Sequence, residues 1–455
     1  MTDAGVAPPL DAGPVEDAIR ARVLSKLRPR IVLYCFALFL VNYLDRVNVG
    51  FAALHMNKDL GLSATAYGFG AGIFFLGYVL FEIPSNMIMH RVGPRRWIAR
   101  IMVSWGLISC GMAAVRGETS FYLMRFLLGL AEAGFVPGVL LYLTYWYPAR
   151  DRAKATAGFM TATVLSSVLG APLSGWILSA EPNWFGLAAW QWLFILEGAP
   201  AVILGIVTYF YLVDRPQDGR WLDREERDWL TARLAAEERA VGVAGSHEFR
   251  AIFRDPRVWL LTLVYMFNAF ALYGVVLWLP QIVRSIGGLT DLQTGAVTAI
   301  PFVFAALGLV AVARSSDRTG ERKLHTAASA VWGGVFLAAS ALAPSPLTSL
   351  LLLCAAAFGI WAVLGVFWAL PTQFLTGSAA AGGLAMINGL AQVSGFSGPY
   401  LVGWIRDTTH SFTPALLALS LGPVIAGLLC LALPARRGDP LAPAAQSEGS
   451  AGAES

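Results

Sequence analysis

The sequence predicts an all-α membrane protein with twelve transmembrane helices, arranged as two six-helix halves with both termini in the cytoplasm. Three observations predict this fold class: the composition, the length of the apolar segments, and the placement of lysine and arginine. The 455 residues are 56% hydrophobic and only 14% charged, and the mean hydropathy is +0.61. A soluble domain carries about 25% charged residues, so one buried core cannot account for the apolar excess.

The apolar residues are collected in twelve segments, which short polar turns separate. A helix needs roughly 20 apolar residues to cross about 30 Å of hydrocarbon, and the segments have about this length. The predicted spans lie near residues 30–54, 64–89, 96–115, 120–147, 153–179, 190–213, 258–284, 292–314, 323–344, 346–371, 379–405 and 413–434.

Lysine and arginine predict the orientation, because cytoplasmic loops are enriched in both. With the N-terminus in the cytoplasm, 27 basic residues lie on the cytoplasmic side, and two, Arg46 and Arg125, lie inside spans. The outer loops hold only Lys58, Arg116, Arg284 and Arg406. Both termini are therefore expected in the cytoplasm.

One long polar stretch between the sixth and seventh spans divides the chain. It begins with charged, helix-favouring residues and ends in a flexible linker, "VGVAGS". The tail is rich in Ala, Pro, Gly and Ser and is expected to be disordered. The predicted units are a cytoplasmic N-terminal segment (1–29), an N-terminal six-helix half (30–213), a cytoplasmic central loop (214–257), a C-terminal six-helix half (258–434) and the tail (435–455).

Two basic, glycine-containing turns support an internal duplication. One follows the second span and reads "HRVGPRRW" (90–97), and the other follows the eighth and reads "SSDRTGERKLH" (315–325). The alternative is that these are two short, unrelated loops, which are basic only because cytoplasmic loops are enriched in lysine and arginine. Two parallel halves with a substrate site between them at mid-depth form one transporter architecture. The turn residues predicted to act in gating or as structural contacts are Arg91, Arg95, Asp317 and Arg318.

Charged side chains inside the spans are the main functional candidates. An ionisable group at mid-bilayer is costly, so it persists only if it is paired, faces a cavity or is functional. The N-terminal half contains six such residues, of which Asp45, Arg46, Arg125 and Glu132 are the functional candidates and Glu82 and Glu197 are the other two. Structural ion pairs that lock helices together are the alternative. Glu82 and Glu197 each lie close to a proline, and for them a structural or gating role is predicted.

The spacing of Arg125 and Glu132 favours an anion site. They are seven residues apart, so they share one helix face about 10 Å apart along the axis. That gap leaves room for a ligand carboxylate or for a contact that depends on protonation. Arginine presents a planar fork of donors that matches a carboxylate, and a carboxylate in a low-dielectric cavity can load and release a proton.

The C-terminal half has neutral polar and aromatic side chains where the N-terminal half has charges. For an arbitrary aromatic residue in such a span, packing is the alternative role. The residues predicted to contact substrate, besides the two arginines, are Tyr43, Tyr78, Asn268, Tyr273, Trp368 and Asn388.

Six stretches of the sequence form a combination that is much more specific than any one of them alone. They read "NYLDRVNVGFA", "EIPSNMIMHRVGPRRWIARIM", "RFLLGLAEAGFVPG", "WQWLFILEGAPA", "DRPQDGRWL" and "LWLPQIV". Together they resemble the anion:cation symporter family of the major facilitator superfamily, over nearly the whole chain between residues 31 and 433. That family includes bacterial carriers for phthalate, tartrate, glucarate and galactonate. The resemblance therefore implies organic-anion transport, often coupled to protons.

The resemblance also implies roles for individual residues. Two carboxylates would take up protons and two arginines would bind the anion: Asp45 and Glu132, and Arg46 and Arg125. Trp368 and Asn388 are implied as ligand contacts. One position departs from the superfamily pattern, because His90 stands where an acidic residue is usual in the first turn, whereas the second turn retains Asp317. This departure weakens any gating argument from the first turn.

The predicted function is proton-coupled symport of a small organic anion, such as tartrate, phthalate or a sugar acid, into the cell across a bacterial-type inner membrane. An exchanger or uniporter without proton coupling, or a receptor that does not transport, is the alternative. No nucleophile elbow, HExxH motif or phosphate loop indicates an enzyme. Cysteine and histidine show no metal-ligand spacing, so no metal or cofactor besides the proton is expected. The expected partners are the carboxylate substrate and the lipid bilayer, without nucleic acid, and the chain is expected to be a monomer.

Overall fold

The computed structural model describes residues 14–180, 184–241, 254–374 and 377–434. Every regular element within these ranges is a helix. The N-terminal helices are α1 (Pro14–Leu27), α2 (Leu33–Asp59), α3 (Ala64–Val92), α4 (Pro94–Gly111), α5 (Glu118–Glu132), α6 (Phe135–Thr144), α7 (Ala149–Met160), α8 (Ala162–Ser179), α9 (Ala189–Tyr211) and α10 (Arg224–Val241). The C-terminal helices are α11 (Pro256–Gly287), α12 (Asp291–Thr319), α13 (Lys323–Ala341), α14 (Pro346–Phe367), α15 (Pro371–Phe374), α16 (Gly377–Ala391), α17 (Val393–Thr409) and α18 (Thr413–Leu431).

Ten helical segments of the described residues are long and apolar enough to cross a membrane. Two of the predicted spans are not among them. The first predicted span, α2, has 27 residues, but the polar side chains at its centre lower its mean hydropathy. The eleventh is divided into α16 and α17, of 15 and 17 residues, and each piece alone is shorter than a bilayer requires. The all-helical, multi-span class is confirmed, and the count of twelve stays a prediction that depends on α2 and on the α16–α17 pair.

The predicted fourth span is interrupted directly after Glu132. Gly134 has φ 86° and ψ 0°, in the left-handed region that residues with a Cβ avoid. A Cβ at Gly134 would lie 2.2 Å from Ser85 Oγ of α3. The chain therefore turns at this glycine, and Glu132 becomes the last residue of α5.

The helices form two groups that contact each other mainly near one end. In the first group α4 packs on α9, α3 on α5, and α2 on both α8 and α9. In the second group α13 packs on α14 and α18, and α11 packs on α18. The groups meet where α3 contacts α17, α8 contacts α12, and α2 contacts α11. A Cβ on Gly68 would lie 2.4 Å from Pro399 O, so the absence of a side chain permits the approach of α3 and α17.

The two basic turns take their carboxylates from different places. Each turn contains a glycine with positive φ. In the second turn Arg322 pairs with Asp317 at 2.6 Å. In the first turn, Asp214 from the segment after α9 accepts a hydrogen bond from the backbone N–H of Arg95 at 2.8 Å. The carboxylate that the first turn lacks is thus supplied by a residue 119 positions away.

α1 and α10 pack against each other beside the first helix group. Arg22 pairs with Glu225, and Lys26 pairs with Glu226, each at 2.7 Å. α10 agrees with the helix predicted in the central loop, whereas α1 is an addition to the predicted N-terminal segment. The tail predicted to be disordered, 435–455, lies outside the described residues, as does most of the linker.

Candidate functional site

A buried ion pair between α2 and α5 lies at the centre of the first helix group. Arg46 Nη2 donates to Glu132 Oε1, and these residues are 9% and 1% exposed. The guanidinium also lies 5.3 Å from the ring centres of Phe74 and Tyr78 and 6.0 Å from that of Tyr43. These distances allow cation–π attraction. One carboxylate and three aromatic rings therefore hold this positive charge.

The second arginine, Arg125, is surrounded by neutral groups. It is 1% exposed, and it donates from Nη2 to Ala71 O at 3.1 Å and from Nε to Gly70 O at 3.4 Å. Its guanidinium carbon lies 5.0 Å from the centre of the Phe74 ring. Among the described residues, Nη1 has no hydrogen-bond partner. A buried cation thus retains one nitrogen that could donate to a further acceptor.

Glu132 pairs across to α2 instead of leaning along α5 toward Arg125. Seven residues on one helix separate the two side chains by about 10 Å, whereas Arg46 approaches the end of α5 from a neighbouring helix. The sequence predicted a shared helix face for Arg125 and Glu132 with a gap between them, and the structure adds Arg46 as the direct partner of Glu132. Phe74 lies between the two guanidinium groups and contacts both.

Asp45 faces α4 and does not pair with its neighbour Arg46. Its carboxylate accepts hydrogen bonds from Asn48 Nδ2 at 2.9 Å, Trp105 Nε1 at 2.5 Å and Ser109 Oγ at 2.5 Å. Adjacent residues on a helix point about 100° apart, which directs Asp45 into the α2–α4 contact. The two neighbouring charges therefore contact different helices, Asp45 the helix α4 and Arg46 the helix α5. Asp45 is 1% exposed.

Three predicted residues lie at contacts between the two helix groups. Asn388 Nδ2 of α16 donates to Glu82 Oε1 of α3 at 3.3 Å. Tyr273 of α11 donates to Gln392 Oε1 at 3.1 Å, and its ring centre lies 4.4 Å from that of Phe75 on α3. α3 therefore carries two of the three rings around Arg46, Phe74 and Tyr78, and also the residues that touch the second group.

Other predicted residues lie away from these contacts. Asn268 Nδ2 donates to Ile360 O at 3.2 Å, which joins α11 to α14. Trp368 packs against Tyr265, with ring centres 4.8 Å apart. Glu197 accepts a hydrogen bond from Ser174 at 2.7 Å, which joins α8 to α9, and its structural or gating role stays a prediction. The side chains of Arg91 and Arg318 are exposed on the two basic turns.

The side chains that position the charges were not among the residues predicted from the sequence. Phe74 and Phe75 were not singled out, nor were Trp105 and Ser109. A usable signal existed, because Phe74 lies four residues before Tyr78 and Trp105 lies four residues before Ser109, and residues at this spacing share a helix face. The candidate site that the structure assembles consists of Tyr43, Arg46, Phe74, Tyr78, Arg125 and Glu132, bordered by Phe75, Tyr273, Glu82 and Asn388.

Comparison with known proteins identifies the family. A sequence profile described as Major Facilitator Superfamily matches residues 35–399. The chain belongs to the Major Facilitator Superfamily. A relative from Agrobacterium vitis, named "Putative tartrate transporter", is 49% identical over 415 residues, which cover 91% of this chain and 95% of the relative. The "Quinolone resistance transporter" of Acinetobacter baumannii is 40% identical over 406 residues, 89% of this chain and 92% of the relative.

A solved structure supports the same fold. It is a bacterial homolog of the human lysosomal transporter Spinster, in an inward-facing and occupied conformation, with a TM-score of 0.74 at 17% sequence identity. The match covers 89% of this chain and 96% of that one. The predicted superfamily is therefore confirmed, and the protein is a multi-pass membrane transporter of this superfamily.

Proposed function

We propose that the protein is a secondary active transporter that imports a small organic carboxylate together with protons across a bacterial inner membrane. The observation that carries the proposal is Arg125, a buried guanidinium bound by carbonyls and a ring face, with Nη1 unpartnered among the described residues. A planar fork of this kind suits a carboxylate. The relatives named tartrate transporters support the same ligand class.

The Arg46–Glu132 pair supports coupling of the anion to a proton. A ligand carboxylate that approaches this centre competes with Glu132 for the guanidinium of Arg46. A buried carboxylate that loses its partner is costly, and a proton on Glu132 removes that cost. Anion binding and protonation of Glu132 therefore favour each other.

Charge balance extends this coupling to Asp45. When ionised, Asp45 and Glu132 carry two negative charges, which balance the two positive charges of Arg46 and Arg125. Each carboxylate that the ligand adds leaves one uncompensated negative charge in a low-dielectric site. A proton on either protein carboxylate compensates for one such charge. The carboxylate of Asp45 is bonded to Asn48, Trp105 and Ser109, and we propose that it takes up its proton without touching the ligand.

Alternating access requires that the two helix groups open on one side while they close on the other. The Phe75–Tyr273 and Glu82–Asn388 contacts join the groups beside the charged centre, and we assign them to the gate that separates the site from the cytoplasm.

The proposal includes twelve spans, both termini in the cytoplasm, no catalytic activity, no cofactor besides the proton, and a monomeric transporter.

Transport by the full chain in proteoliposomes tests the proposal. A thermal-shift screen of tartrate, phthalate and sugar acids selects the probe. An inward proton gradient should drive accumulation of that acid, an ionophore should abolish the accumulation, and counterflow should persist without a gradient. Counterflow without gradient-driven accumulation would instead identify an exchanger or uniporter. Binding without counterflow would identify a receptor.

A further inference from the structure

Glu197 of α9 is a buried carboxyl group without a cation. Its residue is 4% exposed, and within the described parts of the chain it forms no ion pair. Ser174 Oγ donates to its Oε1 at 2.7 Å, whereas its Oε2 has no hydrogen-bond partner there. An ionised carboxylate at this position would lack both the positive charge and the donors that compensate for burial.

A second unsatisfied oxygen belongs to the neighbouring side chain of Asn48. This residue of α2 is 1% exposed and lies beside the Glu197 carboxyl group. Its Nδ2 donates to Asp45 Oδ1 at 2.9 Å, but its Oδ1 has no partner among the described residues. Two acceptor oxygens can form a hydrogen bond only if one of them carries a hydrogen.

One proton on Glu197 satisfies both oxygens. A neutral carboxylic acid has a carbonyl oxygen that accepts and a hydroxyl that donates. Because Oε1 accepts from Ser174, it takes the carbonyl role, and Oε2 is the hydroxyl that can donate to Asn48 Oδ1. The hydrogen bonds then run in one direction, from Glu197 through Asn48 to Asp45, and no buried oxygen of the chain is left at the cost of an unsatisfied group.

Charge balance favours the same location for the proton. Asp45 accepts three hydrogen bonds from side chains in the described part of the chain, whereas Glu197 accepts one. Donors to a carboxylate favour its ionised form. The ionised forms of Asp45 and Glu132 already balance the two buried arginines, so a negative charge on Glu197 would be uncompensated.

Few titratable groups of the packed helices face Glu197. α9 packs on α2, α4 and α8. From α2 the facing group is Asp45, because the arginine next to it is directed to α5. From α4, Cys110 donates its thiol to the α9 backbone at 3.7 Å, and α8 has no titratable side chain. On α9 itself, Tyr209 and Tyr211 lie more than three turns away.

We propose that Glu197 remains a neutral acid during transport, and that its hydroxyl donates to Asn48 Oδ1 and thereby orients the amide that binds Asp45. Glu197 is then a positioning residue for Asp45, which goes beyond the structural or gating role predicted from the sequence. Without this donor, Asn48 is free to turn away, the ionised form of Asp45 loses one of its three donors, and release of a proton from Asp45 is hindered. The neutral state of Glu197 is independent of the transport proposal, and only its effect on proton coupling rests on that proposal.

Infrared spectroscopy of the full chain in lipid bilayers at neutral pH tests the proton on Glu197. A carboxylic acid has a carbonyl band at higher frequency than a carboxylate or an amide. The wild type should show this band, and Glu197→Gln should remove the contribution of one carboxyl group. The matched control is Glu132→Gln, which should leave the band unchanged, because Glu132 is held ionised by Arg46.

Transport in proteoliposomes tests the hydrogen bond that Glu197 donates. In Glu197→Gln the side-chain oxygen can still accept from Ser174 and the amide N–H can still donate to Asn48. This variant should therefore retain accumulation driven by the proton gradient, whereas Glu132→Gln should lose it. Glu197→Met has about the same length but no donor. It should slow accumulation about two- to tenfold, the range expected for one lost neutral hydrogen bond, while counterflow is retained.

A double-mutant cycle tests whether Glu197 acts through Asn48. In the Asn48→Ala background the acceptor of the proposed bond is absent, so Glu197→Met should slow accumulation no further. Additive effects of the two substitutions would overturn the positioning role, because they would show that Glu197 acts by another route.

Three other results would also overturn the proposal. An acid band that Glu197→Gln leaves unchanged would show that Glu197 is ionised. Loss of accumulation with retained counterflow in Glu197→Gln would make Glu197 a carrier of the proton instead of a permanent donor. Accumulation by Glu197→Met at the wild-type rate would show that the hydrogen bond has no role, and if this variant does not fold, the infrared band and Glu197→Gln still decide. Absence of counterflow by the wild type, with the infrared result as expected, would contradict the transport proposal and leave the neutral Glu197 standing.

Discussion

The Glu132→Gln substitution tests the charged centre most directly. Glutamine has nearly the shape of a protonated glutamate, so this variant resembles a carrier that is permanently loaded with a proton at this position. Exchange needs only the loaded carrier to reorient, whereas net uptake needs the empty carrier to release its proton and return. We therefore expect loss of pH-driven accumulation with retention of substrate counterflow.

The structure also predicts the cost in stability. Removing one partner of a buried ion pair costs about 3–5 kcal/mol. In this variant the amide oxygen that replaces the carboxylate still accepts from Arg46, and the rings of Phe74, Tyr78 and Tyr43 retain cation–π contacts, each worth about 0.5–2 kcal/mol. We expect a loss of about 2–3 kcal/mol in the free energy of unfolding. The double variant Arg46→Gln/Glu132→Gln removes both charges of this pair, so neither partner is left without the other, and it should recover most of this loss.

Purified variants in proteoliposomes, with thermal unfolding measured on the same preparations, provide the assay. The double variant is the matched control, because it restores stability but lacks the guanidinium and should not transport. If Glu132→Gln accumulates substrate as the wild type does, Glu132 is not in the proton path and Asp45 remains as the candidate. If folding yield, accumulation and counterflow fall together, the pair is a structural lock between α2 and α5.

Three further predictions concern α5 and the first turn. Arg125→Lys should lower kcat/KM for uptake at least about tenfold, since a point charge cannot replace the bidentate fork; near wild-type uptake at normal membrane levels would refute the fork argument. Gly134→Ala should destabilise the protein by about 1–2 kcal/mol or more, because of its positive φ and the contact with Ser85, whereas Gly389→Ala, where a Cβ meets nothing within 4 Å, should not; equal melting temperatures would contradict this. Asp214→Ala should cost about 0.5–2 kcal/mol in thermal unfolding by removing the cap of α4, and an unchanged melting temperature would show that the cap contributes nothing.

The sequence by itself determined that the protein is a membrane protein and which charged residues lie inside its spans. Long apolar segments have one stable environment, hydrocarbon, and there every backbone group must be satisfied within a helix. The same cost makes a buried charge informative: Asp45, Arg46, Arg125 and Glu132 are visible in the sequence because apolar residues surround them. The helix in the central loop was likewise predicted, since its composition favours a helix locally.

Only the tertiary structure decided which charges meet. Arg46 and Glu132 are 86 residues apart, and their pairing depends on how α2 and α5 are rotated and on the turn at Gly134. A Cβ at position 134 would lie too close to Ser85, so only glycine fits there. The rotation of a helix about its axis cannot be read from a local sequence pattern, so the pairing of Glu132 with Arg46 was not predicted. The role of Asp214, which supplies the carboxylate that the first turn lacks, could not be predicted from the sequence for the same reason. Hydrogen-bond partners are determined by distance in space, and packing brings together residues that the chain separates.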